Sequence, residues 1–191
     1  MAGMSMFRNS LRSALTTIES LAGLENELLR AASLVRACLL GGNKLLVAGN
    51  GGSAADGMDF STEFTCRYSG DRRPFPAINL TADGTLLTAI GNDYDFVEVF
   101  ARQIWAFGKP GDVLVVYSST GKSPDILRAL DEAKQRGLES IAFLGRDGGP
   151  AAGRATVDLI VRAEVTARIQ EAHKFLAHCL CEQVDGDLKK A

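Results

Sequence analysis

The chain has 191 residues, is 46% hydrophobic and carries a formal net charge of -2. This length and apolar content fit one globular domain of ordinary size, and the weakly acidic balance argues against a general binder of nucleic acid or of membrane surfaces. No run of 18 apolar residues is present, so no segment is expected to span a membrane.

The amino-terminal segment is predicted to be helical. Its first 18 residues are basic, rich in serine and threonine and free of acids, as a transit peptide would be. Apolar residues nevertheless keep a helical period that continues toward Leu40, namely Phe7, Leu11, Leu15, Ile18 and Ala22. This continuity favours one or two structural helices over about 4–40, with a candidate break at Gly23.

Beyond Gly41, short apolar runs that are typical of buried strands alternate with helical patterns. The predicted strands are 44–48, 76–80, 112–117, 140–144 and 157–161. The predicted helices are 53–67, two stretches within 84–107 joined near 91–93, 124–136 and 168–184. Such alternation predicts an α/β fold with a mostly parallel sheet and helices on both of its faces.

Two loops of a phosphate-binding type follow predicted strands. The first, GNGGS at 49–53, precedes a helix, so its glycines allow close backbone approach and the helix start offers free N–H groups. The second, SSTGKS at 118–123, offers four hydroxyls that can hydrogen bond to phosphate oxygens. Ligands of open parallel sheets bind at the carboxyl ends of strands, where both loops are expected.

Each loop alone also fits an ordinary turn with a hydroxyl N-cap, and only the pair favours a phosphate ligand. Neither loop has the spacing of a Walker motif or of GxGxxG, which argues against a dinucleotide.

Three acids follow the first loop at offsets i, i+3 and i+7, so Asp56, Asp59 and Glu63 share one helix face. Asp56 also fits a solvated acid near a helix start. Glu63 stands deeper in the helix, between Phe60 and Phe64, where we expect desolvation to raise its pKa toward that of a useful base.

The last predicted helix contains both histidines of the chain, His173 and His178. Gln170 precedes His178 by eight residues, an offset of about 80° that places the two on one broad side of the helix. A histidine among apolar neighbours fits a core residue as well as a ligand, and the sequence leaves both interpretations open.

The four cysteines, Cys38, Cys66, Cys179 and Cys181, include no CxxC pair of the zinc-binding type. We interpret all four as reduced, mostly buried thiols of an intracellular protein.

In combination and spacing, four stretches resemble the sedoheptulose 7-phosphate isomerases, or phosphoheptose isomerases, of the SIS (sugar isomerase) family. The matching stretches are 49–56, 87–93, 118–124 and 168–173. The resemblance covers nearly the whole chain. It implies a single SIS domain over 1–191, a flavodoxin-like three-layer sandwich with a five-stranded, mostly parallel sheet and a long N-terminal helix.

The resemblance also implies a cytoplasmic homotetramer with active sites at subunit interfaces, in which the helical segment of about 4–40 packs in the oligomer. The family converts sedoheptulose 7-phosphate to D-glycero-D-manno-heptopyranose 7-phosphate, by proton transfer through an enediol, for heptose biosynthesis. A small sugar phosphate is the implied partner, without nucleic acid or membrane.

By the same resemblance, Glu63 and His178 are the implied catalytic residues. The implied substrate contacts are Asn50, Gly51, Gly52, Ser53, Asn92, Asp93, Ser118, Ser119, Thr120, Ser123 and Gln170. Thr120 stands where the family usually has serine, and the hydroxyl is retained.

Zinc is the implied cofactor. The family binds it through a histidine four residues before the glutamate, the glutamate itself, a glutamine and the late histidine. Glu63, Gln170 and His178 match this set, whereas Asp59 replaces the first histidine. Aspartate can ligate zinc, yet we expect the exchange to weaken zinc affinity. Asp59 would also repel Glu63 and raise its pKa.

Two other functions stay open from the sequence. One is a non-catalytic SIS regulator that binds a replication initiator protein, and the other is an isomerase of a different phosphosugar. Because those regulators lack the glutamate and histidine pair, Glu63 and His178 favour an enzyme.

Overall fold

A computed structural model describes residues 5–191, so the predicted helix start at residue 4 lies outside the described residues. The strands are β1 (Leu45–Gly49), β2 (Ala77–Asn79), β3 (Val113–Ser118), β4 (Glu139–Gly145) and β5 (Val157–Val161). The α-helices are α1 (Met6–Ser20), α2 (Glu25–Leu40), α3 (Gly52–Thr65), α4 (Gly84–Asp93), α5 (Ala101–Phe107), α6 (Pro124–Gln135) and α7 (Thr166–Leu188).

The amino-terminal segment forms two helices, one of the two arrangements that the hydrophobic period left open. The Ser5 hydroxyl accepts a hydrogen bond from the Arg8 amide at 3.3 Å and caps α1. A short 3-10 turn, Leu21–Leu24, separates α1 from α2 at the candidate break around Gly23.

The five strands form one sheet in the order β2-β1-β3-β4-β5, and all four pairings are parallel. Both β1 and β3 are buried along their whole length, which explains their uninterrupted apolar sequences. The chain leaves β1 toward β2 on one side and continues from β3 toward β4 on the other. The carboxyl ends of β1 and β3 therefore form the topological switch point of the sheet.

Helices cover both faces of this sheet and complete three layers. One apolar core joins α2, α3 and α7 to the sheet, with aromatic contacts among Phe60, Tyr117 and Phe143. The opposite core joins α4, α5 and α6 to the other face. The predicted three-layer α/β sandwich is confirmed.

Two local predictions need correction. The joint between the helices of 84–107 lies after Asp93, not at 91–93, because the Asp95 carboxylate accepts a hydrogen bond from the Val97 amide and starts a 3-10 turn there.

The cysteines are unbridged, but Cys66 is exposed and Cys179 only half-buried. The prediction that the thiols are mostly buried was therefore wrong for these two. Cys66 is the C-cap residue of α3. Among residues 5–191, no helix has the length and apolarity needed to cross a bilayer.

Candidate active site

The two predicted phosphate loops lie side by side at the switch point, because they follow the adjacent strands β1 and β3. A side-chain hydrogen bond joins the first loop to the helix that follows the second: the Asn50 amide donates to the Asp125 carboxylate at 2.7 Å. Asp125 is buried in the first turn of α6. Sequence reasoning gave Asp125 no role, since nothing in the linear sequence shows that residues 50 and 125 meet.

Glycines let other chain segments approach both loops closely. A Cβ on Gly52 would overlap the Gln170 side-chain amide, so this amide lies directly over the start of α3. Gly121, at φ 61°, leaves no room for a Cβ against the Gly148 carbonyl. The first loop thereby contacts α7, and the second contacts the turn after β4.

The hydroxyls of these loops do not cap helices. Gly51 occupies the N-cap position of α3, and the Ser123 side chain makes no capping bond at the start of α6. The Ser118 and Thr120 hydroxyls accept bonds from the Gly121 and Lys122 amides, at 3.0 and 3.2 Å, and both keep an O–H to donate. These two hydroxyls therefore accept backbone hydrogen bonds within the loop and retain an O–H that can donate to a ligand.

A second group of polar side chains lies where α3 faces α7. One ligand atom each of Asp59, Glu63 and His178 lie within 4.8 Å of one another. The Asp59 Oδ2 atom is 3.6 Å from His178 Nε2 and also forms an ion pair with the Lys174 ammonium. The side chains of Asp59, Lys174 and His178 are each about two-fifths exposed, so the group is open to a ligand.

Burial raises the pKa of the Glu63 carboxyl, and the negative charge of Asp59 raises it further. His178, Lys174 and Arg72 act in the opposite direction on that pKa without cancelling the rise. The two effects predicted from the sequence, desolvation of Glu63 and its repulsion by Asp59, thus both raise this pKa.

The backbone around Glu63 is held by Arg72. Its guanidinium donates to the Glu63 and Phe64 carbonyls at 2.5 and 3.0 Å, which satisfies carbonyls that the end of α3 leaves open. The buried Arg72 side chain also lies 3.5 Å from Asp185 of α7. This contact ties the carboxyl end of α3 to α7.

Asp56 is half-buried, not fully solvated. Burial raises the pKa of its carboxyl, and Lys174 opposes the rise.

Asp59, Glu63 and His178 form a triad that could hold a metal ion, since two carboxylates and an imidazole are common metal ligands. One Asp59 oxygen, however, already pairs with the Lys174 ammonium. A divalent cation could use that oxygen only after displacing Lys174. As it stands, an ammonium occupies the Asp59 corner of the triad, and sequence reasoning overlooked Lys174 altogether.

The remaining predicted site residues lie elsewhere. Asn92 and Asp93 are exposed at the end of α4, joined to each other at 2.9 Å, and within residues 5–191 no hydrogen bond links them to the loops. Asp93 lines a cavity of about 300 Å³ between α4 and α5. His173 is fully buried and contacts Tyr117 and Phe143, as a core histidine does.

Comparison with known proteins agrees with this fold. The sequence model of the SIS domain family matches residues 6–145. A phosphoheptose isomerase from Shewanella loihica is 46% identical over 91% of this chain and 89% of that protein.

Two solved structures are similar over almost the whole chain. The phosphoheptose isomerase of Neisseria gonorrhoeae has a TM-score of 0.89 at 38% identity, covering 94% of this chain and 97% of that one. The phosphoheptose isomerase of Francisella tularensis has a TM-score of 0.90 at 33% identity, covering 94% and 96%. The chain therefore belongs to the SIS domain family and, within it, to the phosphoheptose isomerases.

Proposed function

We propose that this chain interconverts sedoheptulose 7-phosphate and D-glycero-D-manno-heptopyranose 7-phosphate. The observation that carries the proposal is the meeting of the Glu63 carboxylate and the His178 imidazole between α3 and α7. These two groups can move protons between neighbouring carbons and oxygens. The names of the similar proteins support a seven-carbon sugar phosphate as substrate.

The phosphate is assigned to the second loop. Its hydroxyl groups are not used as helix caps, and the amino end of α6 directs a positive dipole toward the same place. We assign phosphate contacts to Ser118, Ser119, Thr120 and Ser123. The first loop, with Asn50, Gly51, Gly52 and Ser53, is assigned to the sugar hydroxyls together with Gln170, which lies on Gly52.

Glu63 is assigned as the base that acts on carbon. It takes a proton from C1 of the open-chain ketose and returns it to C2 after the enediol has formed. His178 donates a proton to the C2 oxygen and accepts one from the C1 hydroxyl, so that protons balance over the cycle. Burial favours this role for Glu63, because a base with a raised pKa holds a carbon-derived proton more readily.

Zinc, which the resemblance implies, stays a prediction. Asp59, Glu63 and His178 are the residues that would hold a cation, with Gln170 as the implied fourth ligand. Because Lys174 already pairs with Asp59, we derive no catalytic step from a metal.

We also propose the tetramer and the single SIS domain that the resemblance implies. The exposed side of α1 carries Phe7, Leu11 and Leu15 at four-residue spacing, an apolar stripe suited to packing against another subunit. Asn92 and Asp93, exposed and separate from the loops of their own chain, would then serve a neighbouring subunit's site. The cytoplasmic location stays a prediction.

The test is turnover of sedoheptulose 7-phosphate by the full chain and by Glu63→Gln, followed as aldose formation. We expect the variant to lose about 10³-fold or more in kcat while its affinity for the sugar phosphate is retained. Glu25→Gln, an exposed substitution at the start of α2, is the matched control and should keep full turnover.

Retained turnover in Glu63→Gln would defeat the assignment of the base. Absence of wild-type turnover, combined with binding to a replication initiator protein, would favour the regulator instead. Faster turnover of another phosphosugar would keep the chemistry and change the substrate.

A further inference from the structure

Lys174 occupies a central place on the site-facing side of α7. Residues four apart in a helix are offset by about 40°, so Gln170, Lys174 and His178 follow one another along one face. Lys174 thus lies between the two residues of α7 that were predicted to bind metal. Its side chain reaches across to α3 and pairs with Asp59.

The ammonium is electrostatically coupled to the acids of α3. It lowers the pKa of both Glu63 and Asp56, against the effect of burial on each. The Asp59 oxygen that it contacts is also the one that lies 3.6 Å from His178 Nε2. Lys174 therefore places one positive charge at the corner of the triad where a metal would bind Asp59.

A divalent cation and this ammonium would compete for the same oxygen. Without Asp59, a metal bound to Glu63 and His178 would lack one of its implied ligands and would lie near a positive charge, which is unfavourable by Coulomb's law. The tethered ammonium needs no free cation in solution, because the helix holds it beside Asp59.

We propose that Lys174 is a tethered cation that excludes divalent metal from Asp59 and supplies positive charge beside Glu63 and His178 in its place. The exclusion of metal does not depend on the chain's activity. If Lys174 replaces the metal, the metal-free protein is also the catalytically active form. This consequence rests on the proposed isomerase function.

Metal binding tests the exclusion directly. Zn²⁺ is titrated calorimetrically into the metal-free full chain and into its Lys174→Met variant. The control is Lys190→Met, which removes the same charge at a lysine that is 79% exposed and away from the triad. We expect Lys174→Met to bind one Zn²⁺ per chain about tenfold or more tightly than wild type. Lys190→Met should match wild type.

Two further variants connect the result to Asp59. Lys174→Arg keeps the positive charge and should bind Zn²⁺ as weakly as wild type, whereas Lys174→Met with Asp59→Asn should lose the gained affinity. Equal zinc affinity of wild type and Lys174→Met would overturn the proposal, as would stronger binding by wild type. If Lys174→Met fails to fold by circular dichroism, Lys174→Gln replaces it.

Turnover measured in the presence of a metal chelator tests whether the metal-free protein is the active form. Wild type should keep its rate of aldose formation in the chelator, and Lys174→Met should lose rate there and regain part of it with Zn²⁺. Loss of wild-type turnover in the chelator would overturn this part. A wild type that is inactive in every buffer would refute the isomerase function, and the zinc titrations would still decide the role of Lys174.

Discussion

His173 and His178 lie five residues apart on α7 and meet opposite surroundings. His173 is fully buried, with the rings of Tyr117 and Phe143 each 6.0 Å away between centroids. His178 is partly exposed and lies beside Asp59 and Glu63. Five residues turn a helix by about 140°, enough to direct one imidazole into the core and the other toward the site.

The comparison shows that neighbours, not residue type, decide what an imidazole can do. Burial lowers the pKa of His173 to about 4, and an interaction with the Leu144 backbone opposes this only in part. His173 therefore stays neutral near pH 7, in an environment without charged partners. His178 has acids within reach and access to solvent, which proton transfer to a substrate requires.

Exchanging each histidine gives the sharpest test of this contrast. We expect His178→Gln to lower kcat for aldose formation by about 10² to 10⁴-fold, because a proton-transfer group has been removed. His173→Leu, which replaces one buried ring by an apolar side chain of similar size, should keep kcat within about threefold at pH 7. Steady-state kinetics of both variants measure the difference.

Circular dichroism of both variants controls for loss of fold. An active His178→Gln, or a folded His173→Leu that is as inactive as His178→Gln is expected to be, would mean that the roles of the two histidines are misassigned.

The buried histidine should instead affect stability in acid. The unfolded chain takes up a proton at this residue near pH 6.5, whereas the folded chain does so only near pH 4. The contribution of His173 to the free energy of unfolding is therefore constant above pH 6.5, and it is lost as the pH falls from 6.5 to 4. The loss amounts to about 3 kcal/mol of the free energy of unfolding.

Urea unfolding at pH 7 and pH 4 measures this term as the difference between wild type and His173→Leu. The variant should lose about 3 kcal/mol less than wild type on acidification, since the acids of the chain titrate in both. Equal losses would show that His173 is not held neutral by burial.

The fold could be predicted because its signals are local. The uninterrupted apolar sequences of β1 and β3 specify strands buried on both faces, and the alternation with helices specifies a parallel sheet. Helix ends were less predictable: α7 runs from Thr166 to Leu188, beyond the predicted 168–184, and Gly186 lies inside it although glycine commonly ends a helix.

The site was only partly predictable, because its contacts join residues far apart in the chain. Spacing places Asp59 and Glu63 on one helix face, and it places Lys174 and His178 on another. No local pattern shows that these two faces meet, or that Lys174 and not a metal contacts Asp59. The Asn50–Asp125 bond was missed for the same reason, since it forms only when β1 and β3 become neighbours.

The smallest expected effect is a shift in the pKa of Glu63 when the charge of Asp59 is removed. Asp59 contributes to the raised pKa of Glu63, so Asp59→Asn should lower that pKa toward its ordinary value. Glu63 must be ionised to act as a base, and the acidic limb of kcat/KM should then move to lower pH, by less than about one unit. The Lys174 ammonium, released from Asp59, would lower the pKa of Glu63 as well.

A pH profile of kcat/KM measures the shift, with the exposed Asp71→Asn as control. An acidic limb that stays in place, or moves to higher pH, would show that Asp59 does not act on Glu63 as a repelling charge.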